Sequence, residues 1–266
     1  MSRSRSFLFP LPLLLLAAAL AVAPSARAAT PSKEVKKTLP LPAGGRVEID
    51  TYKGSVDLVA EERPDVAVEA KVTADPECGS AKDQAEWVEK TEIRIESSGK
   101  SVRIESDYRG LTGHHWGFLG SCTSRPLVDY RIRMPKKADL EVKDYKSKVA
   151  VAGLTGDLRL ESYKGNLSVR ELDGTIRLET YKGEAAVEFA SLRGDSRFET
   201  YKGRIEVSLP KTTGFELDAD IGRRGDFKSE FGSAARSAGH LRTSLNGGGP
   251  RLALSTHKGT LKVAAR

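Results

Sequence analysis

The stretch IRLETYKGEAAVEF, from Ile176 to Phe189, contains the pattern that decides the fold. Apolar and polar residues alternate on both sides of the central letters ETYKG, which is typical of two short β-strands that each bury one face. A polar residue, an aromatic ring and a lysine stand directly before the glycine. The stretch therefore predicts one unit made of a strand, a tight corner and a second strand.

The same corner occurs six times in the chain. ETYKG returns at Glu199–Gly203, and related sequences are DTYKG from Asp50, KDYKS from Lys143, ESYKG from Glu161 and STHKG from Ser255. From Lys143 to Glu199, successive corners are 18 or 20 residues apart. A fixed period of this length indicates stacked structural repeats.

One unit offers too few inward side chains to close a core, so the units must stack on each other. In-register stacking predicts an all-β protein, a parallel β-helix (β-solenoid) of about 18–20 residues per coil. An antiparallel meander is the alternative, but it does not require equivalent residues to recur at a fixed period. We expect one continuous domain, with residues 29–135 as a lead-in and residues 136–266 as regular coils. The lead-in contains one short helix at Ala81–Lys90, and an insertion at Gly232–His240 precedes the last coil.

The first 28 residues are typical of a secretory signal peptide. Basic residues come first, an apolar run from Phe7 to Ala23 follows, and Ala26-Arg27-Ala28 supplies small residues for cleavage. An uncleaved anchor is the alternative, but prolines interrupt the run, which is short for a span of about 20 residues. We therefore expect an exported protein, periplasmic or at the cell surface, without a membrane span after cleavage.

Charge and cysteine content limit the classes of partner. The chain has 43 basic and 36 acidic side chains, and three of the basic ones lie in the signal segment. The remaining excess is small, so we expect no nucleic-acid partner. In an exported protein, Cys78 and Cys122 are most simply one disulfide, and two separate thiols are the alternative.

The outward residues of the strands before the corners form two charged rows. Stacking places Arg159, Arg177 and Arg197 in one row and Glu161, Glu179 and Glu199 in the next. We expect diagonal pairing between these rows to give a solvated face rather than a catalytic carboxylate pair.

The corner residues are the candidate ligand-binding set. One interpretation is an aromatic ladder that stiffens the corner, with lysine stems packed beside it. The other is a platform where sugar rings stack on tyrosines while lysines contact acidic groups. The corner glycines are expected to permit left-handed or otherwise restricted backbone angles. The candidate residues are Tyr52, Lys53, Tyr145, Lys146, Tyr163, Lys164, Tyr181, Lys182, Tyr201, Lys202, His257 and Lys258.

The sequence contains none of the motifs that indicate nucleophilic catalysis, a zinc protease or a phosphate loop. Adjacent histidines such as His114 and His115 rarely bind one metal ion together, so we expect an ordinary loop there. We expect no enzyme, no cofactor and no metal. A carbohydrate-binding or carbohydrate-active β-helix protein is the alternative.

The span from about Val128 to Val263 resembles the bacterial adhesin-like β-strand-repeat family, whose members are exported domains of unknown function. The resemblance rests on VDYRIRMPKKADLEV, on the recurring glycine-hydrophobic corners and on the ending LNGGGPRLALSTHKGTLKV. Family members usually have a Ser-Gly-Asp type of corner where this chain has Tyr-Lys-Gly. The resemblance implies a parallel β-helix, an envelope location and a scaffold or adhesion role. An envelope protein or polysaccharide is then the expected partner. Separately, an open coil end offers unpaired backbone groups, so either the insertion covers it or another subunit associates with it end to end.

Overall fold

A computed structural model describes residues 30–75, 77, 79–111, 124–232 and 238–266. The signal segment, Cys78, Cys122 and the His114-His115 pair lie outside the described residues. The expectations for export, for the disulfide and for that loop therefore remain predictions.

The described residues form seventeen β-strands and one α-helix, and the strands belong to one mixed sheet. The strands are β1 Ser32–Pro40, β2 Arg46–Glu61, β3 Asp65–Thr73, β4 Glu92–Ser98, β5 Ser101–Asp107, β6 Leu127–Pro135, β7 Asp139–Ala152, β8 Asp157–Ser162, β9 Asn166–Thr180, β10 Glu184–Leu192, β11 Ser196–Thr200, β12 Arg204–Leu209, β13 Phe215–Ile221, β14 Asp226–Ser229, β15 Gly239–Leu245, β16 Arg251–Thr256 and β17 Thr260–Ala265.

The prediction of a parallel β-helix is wrong, although the all-β class and the single short helix are correct. The sheet is mixed, because four antiparallel pairs (β1–β3, β3–β6, β4–β5 and β13–β15) accompany the parallel ones. The sequence repeat predicts the pairing only of those strands that stack in parallel. Each antiparallel pair contains β1, β3, β4 or β15, which lie outside the repeat and carry no such signal.

The parallel pairs between repeats have the register that the sequence period predicts. Leu140 of β7 lies opposite Leu158 of β8, which lies opposite Ile176 of β9. Strand β7 also runs through its corner, so that Val149 lies opposite Leu167 in the strand series after the corner. Both series therefore stack with an offset of one repeat.

The last repeat does not lie at the end of the stack. Strand β16 pairs with β11 on one side and with β13 on the other, and β17 likewise lies between β12 and β14. Strands β13 and β14 come earlier in the chain but lie farther out. Strand β15, which the sequence did not predict, pairs antiparallel with β13.

The inward side chains of both strand series form one hydrophobic core. Each inward pair predicted from the alternation is buried, as Leu158 and Leu160 before a corner and Ile205 and Val207 after another show. The predicted helix α1 (Ala81–Lys90) has the expected bounds and begins with a capping box between Ser80 and Asp83. No helix in the described part of the chain is long and apolar enough to cross a lipid bilayer.

Candidate functional site

The aromatic residues of the six corners form one continuous stack, which we call the ring ladder. The centroids of neighbouring rings lie 4.7 Å apart for Tyr52 and Tyr145, and 5.0 Å for Tyr145 and Tyr163. The next separations are 4.9 Å, 4.9 Å and finally 4.8 Å between Tyr201 and His257. Neighbouring rings are within 13° of parallel. Their faces therefore cover one another and only their edges are open, with Tyr163 37% exposed.

Backbone hydrogen bonds carry the sheet register through the corners. The amide of Lys182 donates to the carbonyl oxygen of Tyr163 at 3.1 Å, and the amide of Tyr181 donates to Ser162 at 3.2 Å. The same two bonds recur at the neighbouring corners. Because the corner itself is hydrogen-bonded, the rings stack at the spacing of the strands.

At four of the six corners a hydroxyl before the ring closes the turn, a contact that the sequence analysis did not predict. The amide of Gly183 donates to Oγ1 of Thr180 at 3.1 Å, and the amide of Gly203 donates to Oγ1 of Thr200 at 2.8 Å. Both hydroxyl residues are buried. A serine or threonine at this position therefore satisfies a buried amide that has no strand partner.

The corner glycines are required mainly by close approach of the backbone, whereas the sequence predicted left-handed or otherwise restricted backbone angles. Gly54 has a φ of 130°, but Gly165, Gly183, Gly203 and Gly259 do not have a positive φ. A methyl group on Gly183 would instead collide with the carbonyl oxygen of Gly165 in the corner below. The glycines let successive corners pack backbone against backbone.

The corner that lacks glycine is built differently. Asp144 takes the place of the hydroxyl residue, and its Oδ1 accepts hydrogen bonds from the amides of Lys146 and Ser147. The hydroxyl of Ser147 is buried and has no hydrogen-bond partner within the described structure. This corner therefore contains an unsatisfied polar group that the glycine corners avoid.

Five of the candidate lysines form a second row beside the ring ladder, which we call the lysine row. Its members are Lys146, Lys164, Lys182, Lys202 and Lys258. Four are exposed, and Lys258 is partly buried. The ammonium of Lys164 lies 5.3 Å from the ring centroid of Tyr163, and similar contacts recur along the row. No ion pair joins any member of the row to a carboxylate in the part of the chain that the structure describes.

Lys53 does not belong to this row, although the sequence grouped it there. Its ammonium forms an ion pair with the buried carboxylate of Asp75 and lies 3.9 Å from Glu77. Burial raises the pKa of Asp75, but hydrogen bonds from Lys53 and Ser124 outweigh that effect and hold the pKa below its ordinary value. Lys53 therefore fixes a neighbouring loop and is not available to a ligand.

The two ends of the ring ladder differ. At one end, the guanidinium of Arg125 lies 4.0 Å from the ring centroid of Tyr52, and Tyr108 packs edge-on against the same ring. Burial raises the pKa of Tyr108 to about 12. At the other end, Gly222 follows His257 in the stack, because its amide donates to the carbonyl of Thr256. The ladder therefore ends at His257, because the next corner has a glycine at the ring position.

The charged face beside the ladder is neutralised within each strand. A guanidinium nitrogen of Arg159 lies 2.5 Å from Glu161, and one of Arg177 lies 2.7 Å from Glu179. Arg197 pairs with Glu199 in the same way. The rows have the predicted register, but the pairs join residues two apart in one strand, whereas the sequence predicted diagonal pairs. A groove of about 760 Å³ runs between this face and the ladder.

The sequence analysis missed an ion-pair cluster around one buried aspartate at the outer end of the sheet. The buried carboxylate of Asp218 pairs with Arg242 at 2.9 Å and with Arg251, and His240 lies 3.3 Å away. Burial raises the pKa of Asp218, but hydrogen bonds from the two arginines outweigh it and the pKa lies below its ordinary value. These contacts join β15 and β16 to β13. No spacing rule connects the residues, since β15 lies outside the repeat.

Among the described residues, no group of three or more His, Cys, Asp or Glu side chains is placed to hold a metal ion. The arrangement is instead a rigid edge with two parallel rows, one aromatic and one cationic.

Comparison with known proteins gives distant likenesses only. No family model matches the chain, and no curated protein matches its sequence. Similar solved structures include a "putative cell adhesion protein" from Clostridium sporogenes, 15% identical with a TM-score of 0.44 over 88% of this chain and 100% of that one. A "putative adhesin" from Bacteroides fragilis is 14% identical, with a TM-score of 0.39 over 87% and 97%. A "putative lipid binding protein" from Parabacteroides distasonis is 11% identical, with a TM-score of 0.27 over 86% and 96%. At these TM-scores the likenesses carry no argument about function.

Proposed function

We propose that this protein is a non-catalytic interaction module of the cell envelope, whose binding surface is the edge formed by the ring ladder and the lysine row. The single observation that carries the proposal is the contrast between two sets of surface charges. The arginine row is paired with glutamates, whereas no described carboxylate pairs with the lysine row. Like charges in a row repel one another, and a bound anion would reduce that repulsion.

The build of the edge favours recognition over catalysis. Its side chains recur at one spacing along the sheet, so every position offers the same chemistry. A catalytic site requires different groups converging on one reacting atom. A repeating edge suits a long partner that makes the same contact many times.

Carbohydrate binding is the second candidate, and the ladder geometry limits its form. Because neighbouring rings cover each other, a sugar cannot stack on the faces of Tyr163 or Tyr181. Ring edges and lysine ammonium groups remain available. A glycan partner would therefore lie along the edge instead of being sandwiched between rings.

The test is co-sedimentation of the purified protein with envelope fragments. We expect the unmodified protein to sediment with the fragments, and the variant Lys164→Glu/Lys182→Glu/Lys202→Glu to remain in solution with an unchanged circular dichroism spectrum. Fragments treated with protease or with periodate then distinguish a protein partner from a glycan. Equal sedimentation of both proteins would refute the proposed surface.

A further inference from the structure

We propose that the lysine row binds an extended acidic polysaccharide, whose carboxylates meet successive lysines along the edge. The inference rests on the proposed function and specifies its ligand. It follows from the charge, the spacing and the occupied ring faces of the edge.

The positive charge of the lysine row favours a polyanion as its ligand. Two unit charges 4 Å apart repel by about 1 kcal/mol in water, and the row places neighbouring lysines one strand apart. Some other basic side chains of the repeats are paired with carboxylates: Arg193 pairs with Asp173 at 2.5 Å, and Lys262 with Glu206 at 2.8 Å. The lysine row has no such partner among the described residues, and an external anion would relieve its repulsion.

The regular spacing of the lysine row favours a repeating polymer as its ligand. The amides of Lys164, Lys182 and Lys202 bond to the neighbouring corner at 2.9 Å, 3.1 Å and 3.0 Å, so the lysine backbones follow the strand spacing. Ring centroids show that this spacing is 4.7–5.0 Å. It is comparable with the length of one sugar unit in an extended chain. The backbone of the row is already fixed, so binding of such a chain would cost mainly the rotamer freedom of the lysine side chains.

The row has a defined length. At one end it excludes Lys53, because Asp75 already pairs with that ammonium group. At the other end the row is followed by the corner Gly222–Gly225, which has the sequence GRRG. Its residues Arg223 and Arg224 are exposed and have no ion pair among the described residues. The basic edge therefore extends from Lys146 through five corners and ends at a pair of arginines.

The ring ladder favours a sugar polymer over a polyanion without sugar rings. Tyrosine edges present apolar carbon beside a hydroxyl, which matches the alternation of C–H and O–H groups around a sugar. These edges run alongside the ammonium groups, which lie 5.3–5.8 Å from the ring centroids at Tyr163, Tyr181 and Tyr201. An acidic sugar can use both rows at once.

The experiment measures the affinity of the purified protein for polygalacturonate, with dextran and inorganic polyphosphate as comparison polymers. We expect binding to polygalacturonate that weakens as salt is raised, and affinity that increases with oligomer length until the row is filled. The variant Lys164→Gln/Lys182→Gln/Lys202→Gln should bind at least about tenfold more weakly.

The matched control is Lys71→Gln/Lys100→Gln/Lys228→Gln, which removes the same charge from three exposed lysines elsewhere. It should bind like the unmodified protein. Equal weakening of both variants would refute the proposal, because net charge would then account for binding. Binding to polyphosphate but not to polygalacturonate would also refute it, as would equal binding to dextran. If envelope fragments still sediment the protein while polygalacturonate does not bind, the ligand class is wrong and the proposed surface stands.

Discussion

Replacing Gly183 with alanine tests whether the ladder depends on backbone contact between corners. The new methyl group would collide with the carbonyl oxygen of Gly165, far beyond the few tenths of an ångström that a neighbour can give. The corner must move to remove this clash. The movement stretches two hydrogen bonds, one from the Gly183 amide to Oγ1 of Thr180 and one from the Arg204 amide to the Gly183 carbonyl oxygen. Overpacking costs about 1–3 kcal/mol, and each lost hydrogen bond about 0.5–1.5 kcal/mol. The expected loss is therefore about 2–6 kcal/mol.

Urea unfolding followed by circular dichroism measures this loss. With a slope of about 3 kcal/mol per molar urea, the midpoint should fall by roughly 1–2 M. The control is Gly194→Ala, since Gly194 also lacks a positive φ and its added methyl group would meet only the methyl group of Thr175, at 3.0 Å. We expect the control to cost less than about 1 kcal/mol. Equal midpoints for Gly183→Ala and the unmodified protein would refute the close-packing argument.

Three further predictions concern single residues. Asp218 has a pKa below its ordinary value, so its ion pairs with Arg242 and Arg251 stabilise the fold above about pH 4, and this contribution is lost as the pH falls through the folded pKa. Asp218→Asn should therefore lower the urea midpoint at pH 7 and show a weaker acid dependence; parallel pH profiles would contradict this. Ser147→Ala removes a buried hydroxyl without a partner and should raise stability by about 1 kcal/mol in thermal melts, where a lower melting temperature would contradict it. Tyr181→Ser removes two stacking contacts and should lower the free energy of unfolding by about 2–3 kcal/mol. Tyr181→His should lower it less, because an imidazole occupies the same position in the last corner. Equal losses for the two variants would argue against stacking.

The repeat predicted the local structure well because stacking in register requires equivalent residues at equivalent positions. The pairs Leu158–Ile176 and Glu161–Glu179, the inward alternation and the ladder all follow from the period. The bounds of α1 were predictable because Ser80 and Asp83 form a local capping signal.

The global arrangement could not be read from the same signal. A period shows that two repeats are equivalent but not which repeats are neighbours. Chain order alone would make the last repeat the outermost one, whereas β16 lies between β11 and β13. Strands β1, β3, β4 and β15 lie outside the repeat, so the antiparallel pairs that make the sheet mixed left no periodic trace.

The candidate site was only partly predictable for a related reason. The sequence shows which residues recur, and it identified both rows. It does not show which charges find partners, so Lys53 was grouped with lysines that it does not resemble in its contacts. Nor does it distinguish a glycine needed for backbone angle from one needed for close approach, as at Gly183.

The position of β16 and β17 also determines the order in which the molecule can be completed. Thr260 pairs with Arg204 on one side and with Asp226 on the other, so a later segment joins two earlier ones. Until that segment arrives, β13 and β14 lack the partners that attach them to the rest of the sheet. Contacts between residues 56 positions apart in the sequence (Arg204 and Thr260) form slowly. A chain interrupted before Arg251 would therefore leave strand edges open to proteases, because the final repeat attaches β13 and β14 to the rest of the sheet.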